Sequence, residues 1–477
     1  MKSSYPIYCA GEWIASAHAL AVTNPYDGAT WTSTFLAEKA HVETAIQKGL
    51  AVQDELRRLP TYVRANALAH IAAGIEKRKD EFAEALSRET AKPLKTARGE
   101  VARAIQTFID GAEETKRIHG EWMALDRHPS GTNHEAIVRR FPVGLVAGIA
   151  PFNFPLNLVA HKLAPAIAAG CPIVLKPASK TPISALLLAE LIDETDLPKG
   201  AVSVLPMDRE VGDLLVTDPR FKLLTFTGSP SVGWDMKARA GKKKVVLELG
   251  GNAAAVVTDS ANMESAVKKS VTGAFSFSGQ SCIHTQRIYV HQSLFDAFVG
   301  RFVEETKKLV FGDPLDEKTD MSAMIDEKNA ERIHAWVQEA VAGGAKVLYS
   351  GKREGAAGYM PTILTNTTPE MAICSKEAFA PTVNIEPYTD FNDVMKAVNA
   401  SDFGLQAGVF TNKLSEMHTA FDLLEMGGVI INNVPTFRAD HMPYGGMKDS
   451  GLGREGVKYA IEDMTELKVL VVNKEAM

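Results

Sequence analysis

Between Val143 and Leu247 short apolar runs alternate with amphipathic stretches, and this rhythm narrows the possible folds more than any other feature. Strands are predicted at 143–149, 172–176, 201–205, 222–226 and 245–247. Helices are predicted between them at 156–169, 182–194, 210–216 and 229–240. Apolar strands joined by helices predict a parallel α/β sheet of the nucleotide-binding type. A second α/β series runs from Ala253 to about Asn432. Ahead of both lie short strands and turns over 5–35 and a helical region over 42–118. A polar interruption at 126–135, with strand-like Ile137–Phe141 after it, predicts a projecting hairpin. The C-terminal run Thr465–Val472 predicts an exposed strand, which with that hairpin would form an intersubunit sheet, since a bare apolar edge invites aggregation.

The segment from Glu248 to Cys282 carries the chemistry. A strand ends in Glu248-Leu249-Gly250-Gly251, an amphipathic helix spans Met263–Phe277, and Ser278-Gly279-Gln280-Ser281-Cys282 follows. A carboxylate at a strand end and a thiol at a helix end, joined by one crossover, suit thioester chemistry. The thiolate attacks a carbonyl, and the carboxylate activates the water that releases the acyl group. Taken alone, Cys282 reads rather as a buried cysteine of the ordinary kind, and the rest of the chain overturns that.

At 477 residues two or three domains are expected. A net charge of −6 leaves no basic footprint for nucleic acid or anionic lipid. No apolar run reaches membrane-spanning length, and the N-terminus has no apolar leader, so a cytoplasmic protein is expected. The four cysteines lie far apart without metal-ligand spacing, which predicts free thiols and no metal.

No G-x-G-x-x-G follows a strand, so an ordinary dinucleotide loop is not expected. Instead Phe226-Thr227-Gly228-Ser229-Pro230 opens a helix after a strand, with proline at a first-turn position. Its free N–H groups and dipole suit a pyrophosphate. Lys176-Pro177-Ala178-Ser179 ends another strand at the carboxyl edge, where such sheets place ligands.

Seven motifs then stand in order: Pro151-Phe152-Asn153-Phe154-Pro155, Lys176-Pro177, Phe226-Thr227-Gly228-Ser229, Glu248-Leu249-Gly250-Gly251, Gly279-Gln280-Ser281-Cys282, Glu377-Ala378-Phe379-Ala380-Pro381 and Pro443-Tyr444-Gly445-Gly446-Met447-Lys448-Asp449-Ser450-Gly451. Along essentially the whole chain this series resembles the aldehyde dehydrogenase superfamily. The resemblance implies an α/β protein with two Rossmann-type domains and a β oligomerisation arm. Its nucleotide-binding part would be 1–119 with 144–248, its catalytic part 249–450, and its arm 120–143 with 451–477. It implies NAD or NADP as cofactor, a small-molecule aldehyde as substrate, and a homodimer or homotetramer. Position by position, Cys282 would be the nucleophile, Asn153 the oxyanion donor and Glu248 the hydrolytic base. Glu377 and Phe379 would hold the nicotinamide end. Ile149, Phe152, Lys176, Ser179, Gly212, Gly228, Ser229, Val232 and Leu249 would line the rest of the cofactor site.

Glu248 favours water over coenzyme A as acyl acceptor, because acylating relatives often lack a base there. Ser179 stands where NAD-preferring relatives often carry a carboxylate, so NADP is expected to be tolerated, with Lys176 and Lys180 near a 2′-phosphate. Arg103, His161, Arg287 and Arg438 fall near pocket motifs, and their chemistry suits an anionic group on the substrate. The stretch Pro435–Pro443 looks like the lactaldehyde and phosphonoacetaldehyde dehydrogenase branch. A short hydroxylated or anionic aldehyde is therefore expected. The alternatives are a CoA-acylating semialdehyde dehydrogenase and a catalytically silent protein of the same fold.

Overall fold

The structure is a computed structural model that describes residues Met1–Ala476. Its first sheet has eight strands in the order Glu12–Ile14, Ile7–Cys9, Val202–Val204, Ile173–Lys176, Val146–Ile149, Leu223–Thr227, Lys244–Glu248, Gly451–Leu452. The five strands from Val202–Val204 to Lys244–Glu248 run parallel. Strand order reverses beside Val146–Ile149, whose two neighbours lead to opposite edges of the sheet. Such a switch point opens a crevice at the carboxyl ends of the strands. Ile149, Lys176, Thr227 and Glu248 all stand at that rim.

The second sheet has seven strands in the order Lys346–Tyr349, Thr362–Thr365, Thr382–Tyr388, Thr285–His291, Ala253–Val257, Gln406–Phe410, Gly428–Ile431. The chain passes from the first sheet to the second between Glu248 and Ala253. The expected crossover is thus a change of sheet: Glu248 ends one sheet, and Cys282 lies in a loop that feeds the other.

The N-terminal helical region divides into Lys39–Arg58, Thr61–Lys77, Lys79–Thr90 and Leu94–Thr115. Pro60 and Pro93 each stand immediately before a helix, where the missing N–H has no consequence. Ala91 is left-handed at φ 54°, so the chain turns sharply and carries the Lys92 side chain inward. The helix Asn157–Ala169 is buried on every face along its whole length, its polar Asn157, His161 and Lys162 included. It packs between Leu94–Thr115 and the first sheet, around Leu68, Phe82, Phe108, Leu163 and Leu186. Each such side chain contributes roughly 1.5–3 kcal/mol by leaving water.

The hairpin strands are Glu121–Ala124 and His134–Pro142, and the C-terminal strand Thr465–Asn473 pairs antiparallel along the second of them. Leu467 and Leu470 are 61% and 58% exposed there. Within the span 451–477 expected for the arm, the first residues pack on the first sheet. Gly451 and Leu452 pair with Glu248 and Leu247, and Val457, Ile461 and Met464 join the core of the first sheet. Val457, Ala460, Ile461 and Met464 are buried, whereas most of the strand from Thr465 is exposed. No helix among the described residues is long and apolar enough to cross a membrane.

Candidate active site

A cavity of about 630 Å³ runs from Lys176 and Ser179 at the sheet rim to Cys282, Arg438 and Tyr444 at the far end. Ile149, Phe152, Asn153, Gly228, Ser229, Glu248, Leu249, Glu377 and Phe379 also line it. Most of the residues expected at one site therefore meet in one cavity. Two of the cofactor positions stand behind the wall. Gly212 backs the Lys176 stem, where a Cβ would come within 3.1 Å, and Val232 packs partly buried against the core.

The loop before Cys282 is built from left-handed residues. The helix Met263–Phe275 ends two residues earlier than expected, and Phe277, Ser278 and Gly279 take φ of 49°, 53° and 69°. A Cβ on Gly279 would stand 2.1 Å from the Ala380 carbonyl oxygen, so only glycine fits. Ser278 Oγ donates to the Ser322 carbonyl (2.6 Å), and Gln280 Oε1 accepts from Ile325 N–H (2.8 Å). These bonds hold a strained turn in a single shape.

The Cys282 sulfur lies 3.0 Å from the Tyr444 hydroxyl. Burial pushes its thiol up to about 11, opposed by that hydrogen bond. Glu248 is buried, and neither of its carboxylate oxygens has a protein partner. Burial raises its carboxyl well above the usual range and the neighbouring Glu455 charge adds to this, against Arg438, Lys162 and Arg454. Burial also pushes Glu377 up to about 7, against the Gly251 N–H that it accepts at 2.9 Å. A Cβ on Gly250 would meet the Glu377 carboxylate at 2.3 Å, which explains the glycine pair.

Asn153 is held from both ends. Its Nδ2 donates to the Gln280 carbonyl at 3.1 Å, and its own carbonyl accepts from Lys92 Nζ at 2.8 Å. Lys92 lies between the Phe154 and Phe277 rings, 4.0 and 4.3 Å from their centroids, and pairs with buried Glu100. Glu100 also accepts the N–H groups of Leu156 (3.0 Å) and Asn157 (3.2 Å) at the start of the next helix.

At the far end of the cavity, which Arg438 and Tyr444 line but Arg103 and His161 do not, the Arg438 guanidinium carbon lies 3.8 Å from the Tyr444 ring centroid. Its Nη2 donates to Glu455 Oε2 at 3.0 Å. Arg103 binds Asp440 through two nitrogens at 3.0 and 2.7 Å, and Arg438 Nε lies 3.7 Å from the same carboxylate. His161 stands between them, Nε2 being 2.8 Å from Asp440 and 3.1 Å from Arg438. Burial lowers its pKa and Arg438 lowers it further, against the raising effect of the Asp440 hydrogen bond and the Glu455 charge.

Arg287 is a correction. Five residues after Cys282 the chain has entered the strand Thr285–His291, and the side chain points away from the active-site cavity. It donates to the carbonyls of Asn252, Ala397 and Val398 and lines a different cavity of about 360 Å³. Lys180 is likewise engaged, pairing with Asp326, while Ser179 Oγ donates to the Met207 carbonyl at 3.0 Å.

Sequence reasoning missed Tyr444, Lys92, Glu100, Lys162 and Glu455. One signal was available for Lys162, a lysine inside an otherwise apolar helix, which demands a buried partner. It donates to Thr227 Oγ1 at 2.7 Å and lies 3.5 Å from Glu455. Against burial, which raises it, Lys162 and Arg438 hold Glu455 down at about 2.

A nicotinamide dinucleotide fits these residues. Ser229 caps the helix Pro230–Arg239 without using its own side chain, and Gly228 and Ser229 line the cavity at that helix start. The Glu377 carboxylate and the unpartnered Glu248 oxygens line the deeper part. A sheet crevice for a dinucleotide, joined to a buried thiol and a free carboxylate, defines an oxidoreductase that works through a cysteine-bound acyl group. The aldehyde dehydrogenase family profile matches residues 13–470, and the chain belongs to that family: it is an NAD(P)-dependent aldehyde dehydrogenase. A 3-sulfolactaldehyde dehydrogenase of Priestia aryabhattai is 46% identical, with 98% of each chain covered. The crystal structure of aldehyde dehydrogenase 21 from Physcomitrella patens, in complex with the reaction product succinate, superposes with a TM-score of 0.97. It is 45% identical over 99% of each chain. The glyceraldehyde-3-phosphate dehydrogenase GapN of Methanocaldococcus jannaschii, complexed with NADP, gives a TM-score of 0.92 at 38% identity. That match covers 95% of this chain and 99% of the other.

Proposed function

We propose that the enzyme oxidises a short aldehyde bearing an anionic or hydroxylated tail to the free carboxylic acid, with Cys282, Asn153 and Glu248 as its working groups. The observation that carries this reading is the shared cavity of a buried thiol and a carboxylate with both oxygens free. The Cys282 thiolate adds to the aldehyde carbon, and the new oxyanion takes hydrogen bonds from Asn153 Nδ2 and the Cys282 backbone N–H. When bound, the nicotinamide supplies the acceptor for the hydride that leaves this carbon. Glu248 then removes a proton from a water that attacks the thioester, the C–S bond breaks, and Cys282 leaves as thiolate with the carboxylic acid as product. A carboxylate already waiting beside the sulfur supports water, not coenzyme A, as the acceptor.

Lys176 and Ser179 are assigned to the adenosine ribose, Gly228 and Ser229 to the pyrophosphate, and Glu377 with Phe379 to the nicotinamide ribose. The lack of a carboxylate at Ser179 supports use of NADP. Arg438 and Arg103, gathered on Asp440, are assigned to the substrate anion, with His161 behind them. The relatives whose names mention sulfolactaldehyde and succinate support an anion of the sulfonate or carboxylate kind. We assign 1–119 and 144–248 to nucleotide binding and 249–450 to the catalytic half. The hairpin with the strand Thr465–Asn473 is assigned as the surface of a homodimer or homotetramer, supported by its exposed apolar residues.

The test is absorbance of reduced cofactor with sulfolactaldehyde, lactaldehyde, succinic semialdehyde, glyceraldehyde 3-phosphate and benzaldehyde, each with NAD and NADP and without coenzyme A. The expected result is best turnover on the anionic members and complete loss in Cys282→Ala. Best turnover on benzaldehyde would overturn the substrate assignment.

A further inference from the structure

We propose that the Tyr444 hydroxyl is the hydrogen-bond donor to the Cys282 sulfur in its thiolate form, which makes Tyr444 a further catalytic residue. The assignment rests on Cys282 being the nucleophile. Among the described residues, Tyr444 is the one side chain in hydrogen-bond contact with Sγ, at 3.0 Å. The charged groups facing the sulfur are Arg438, Glu377 and Glu248, and those facing the phenol are Arg438, Glu248 and Glu455. Both carboxylates near the sulfur oppose its ionisation, so a neutral donor in direct contact is what the buried thiolate needs.

Tyr444 is built to stay in place. It is 2% exposed, and its backbone N–H donates to the Glu455 carbonyl at 2.9 Å while the Glu455 N–H returns a bond. The Arg438 cation on the ring face draws π density toward itself and so makes the O–H a stronger donor. Burial and the adjacent sulfur keep the phenol protonated well above its ordinary value. An ionised sulfur has no proton to give, so between these two atoms the phenol donates.

The gain has a definite size. A hydrogen bond to a charged group shifts the thiol by roughly one to two pH units. Each unit raises the thiolate fraction about tenfold. Nucleophilicity falls at the same time by about threefold, given a Brønsted slope of about 0.4–0.5. The net advantage below the thiol midpoint is about three- to tenfold.

The experiment is the pH dependence of iodoacetamide alkylation of the Cys282 peptide, followed by mass spectrometry, in wild type and Tyr444→Phe. Phenylalanine keeps the ring under Arg438 and removes only the hydroxyl. The proposal expects Tyr444→Phe to react about three- to tenfold more slowly below the midpoint, with the midpoint moved to higher pH. Equal or faster alkylation would overturn it, because a thiol that donates to the phenol oxygen is released when that acceptor is removed. A second measurement needs no Tyr444 variant: the infrared S–H band of Cys282, as wild type minus Cys282→Ser. Followed upward in pH, loss of the S–H band together with a shift of the Tyr444 phenol band supports the proposal, and loss of the S–H band with the phenol band unmoved overturns it. Neither readout uses aldehyde or cofactor. Cofactor reduction that survives in Cys282→Ala would sink the nucleophile assignment itself, whereas an unchanged alkylation profile in Tyr444→Phe sinks only the hydrogen bond.

Discussion

Glu100 and Glu248 are both buried carboxylates, one bonded through Lys92 to Asn153 and one lining the cavity with Cys282, yet their surroundings are opposite. Glu100 is 1% exposed and fully engaged, with Lys92 on one oxygen and two helix N–H groups on the other. Glu248 is 4% exposed and has no protein partner on either oxygen. A buried polar group without a partner costs free energy, and folding alone would select against it. The contrast separates a carboxylate that fixes Lys92, and through it Asn153, from one that on the proposed mechanism stays unsatisfied so that a water proton can reach it.

The sharpest way to break the contrast is Glu248→Gln. Turnover is expected to fall about 10²–10⁴-fold, the usual contribution of a general base. The first equivalent of reduced cofactor should still form, and an acyl adduct should accumulate on Cys282, visible by mass spectrometry. Loss of that first burst as well would place Glu248 before hydride transfer. Glu100→Gln should act on stability instead, lowering it by about 3–5 kcal/mol in guanidinium unfolding, because Lys92 is left as an unpaired buried charge. An intact fold after Glu100→Gln, with an unfolded Glu248→Gln, would invert the comparison.

The pH dependence follows from the raised Glu248 pKa. As an acid it cannot accept a proton, so hydrolysis-limited turnover should rise with pH through that raised value. Stability runs the other way. Above about pH 4.5 the folded state holds a proton that the unfolded state has released, so the Glu248 contribution to stability falls as pH rises toward the folded pKa. Glu248→Gln should remove that slope from unfolding curves measured across the range. The smallest expected effect lies at the far end of the cavity. Ser179→Asp places a carboxylate near the ribose site and should raise KM for NADP relative to NAD by about tenfold, on the order of 1.4 kcal/mol.

Much of the fold could be read from periodicity, since the five parallel strands of the first sheet were predicted to within a few residues by apolar runs and the turns between them. Glu248 and Cys282 were readable because strand end and loop are local features. The path between them was not, because the change of sheet at Gly250–Asn252 is a matter of which edges pair, and no local pattern records it. Arg287 failed for a related reason. Nearness to Cys282 in the chain says nothing about the face on which a strand side chain emerges.

The sequence by itself determined the α/β class, the family through its ordered motifs, and the residue types that the chemistry requires. Short-range patterning and local turn chemistry decide these, and both survive without knowledge of the whole. Only the tertiary structure decided that Tyr444 touches the sulfur, that Lys92 and Glu100 fix Asn153 from 61 and 53 residues away, and that Glu248 is left unsatisfied. Hydrogen bonding and desolvation act through space over a few ångströms. They depend on which distant segments packing brings together, and that is settled only when the core closes.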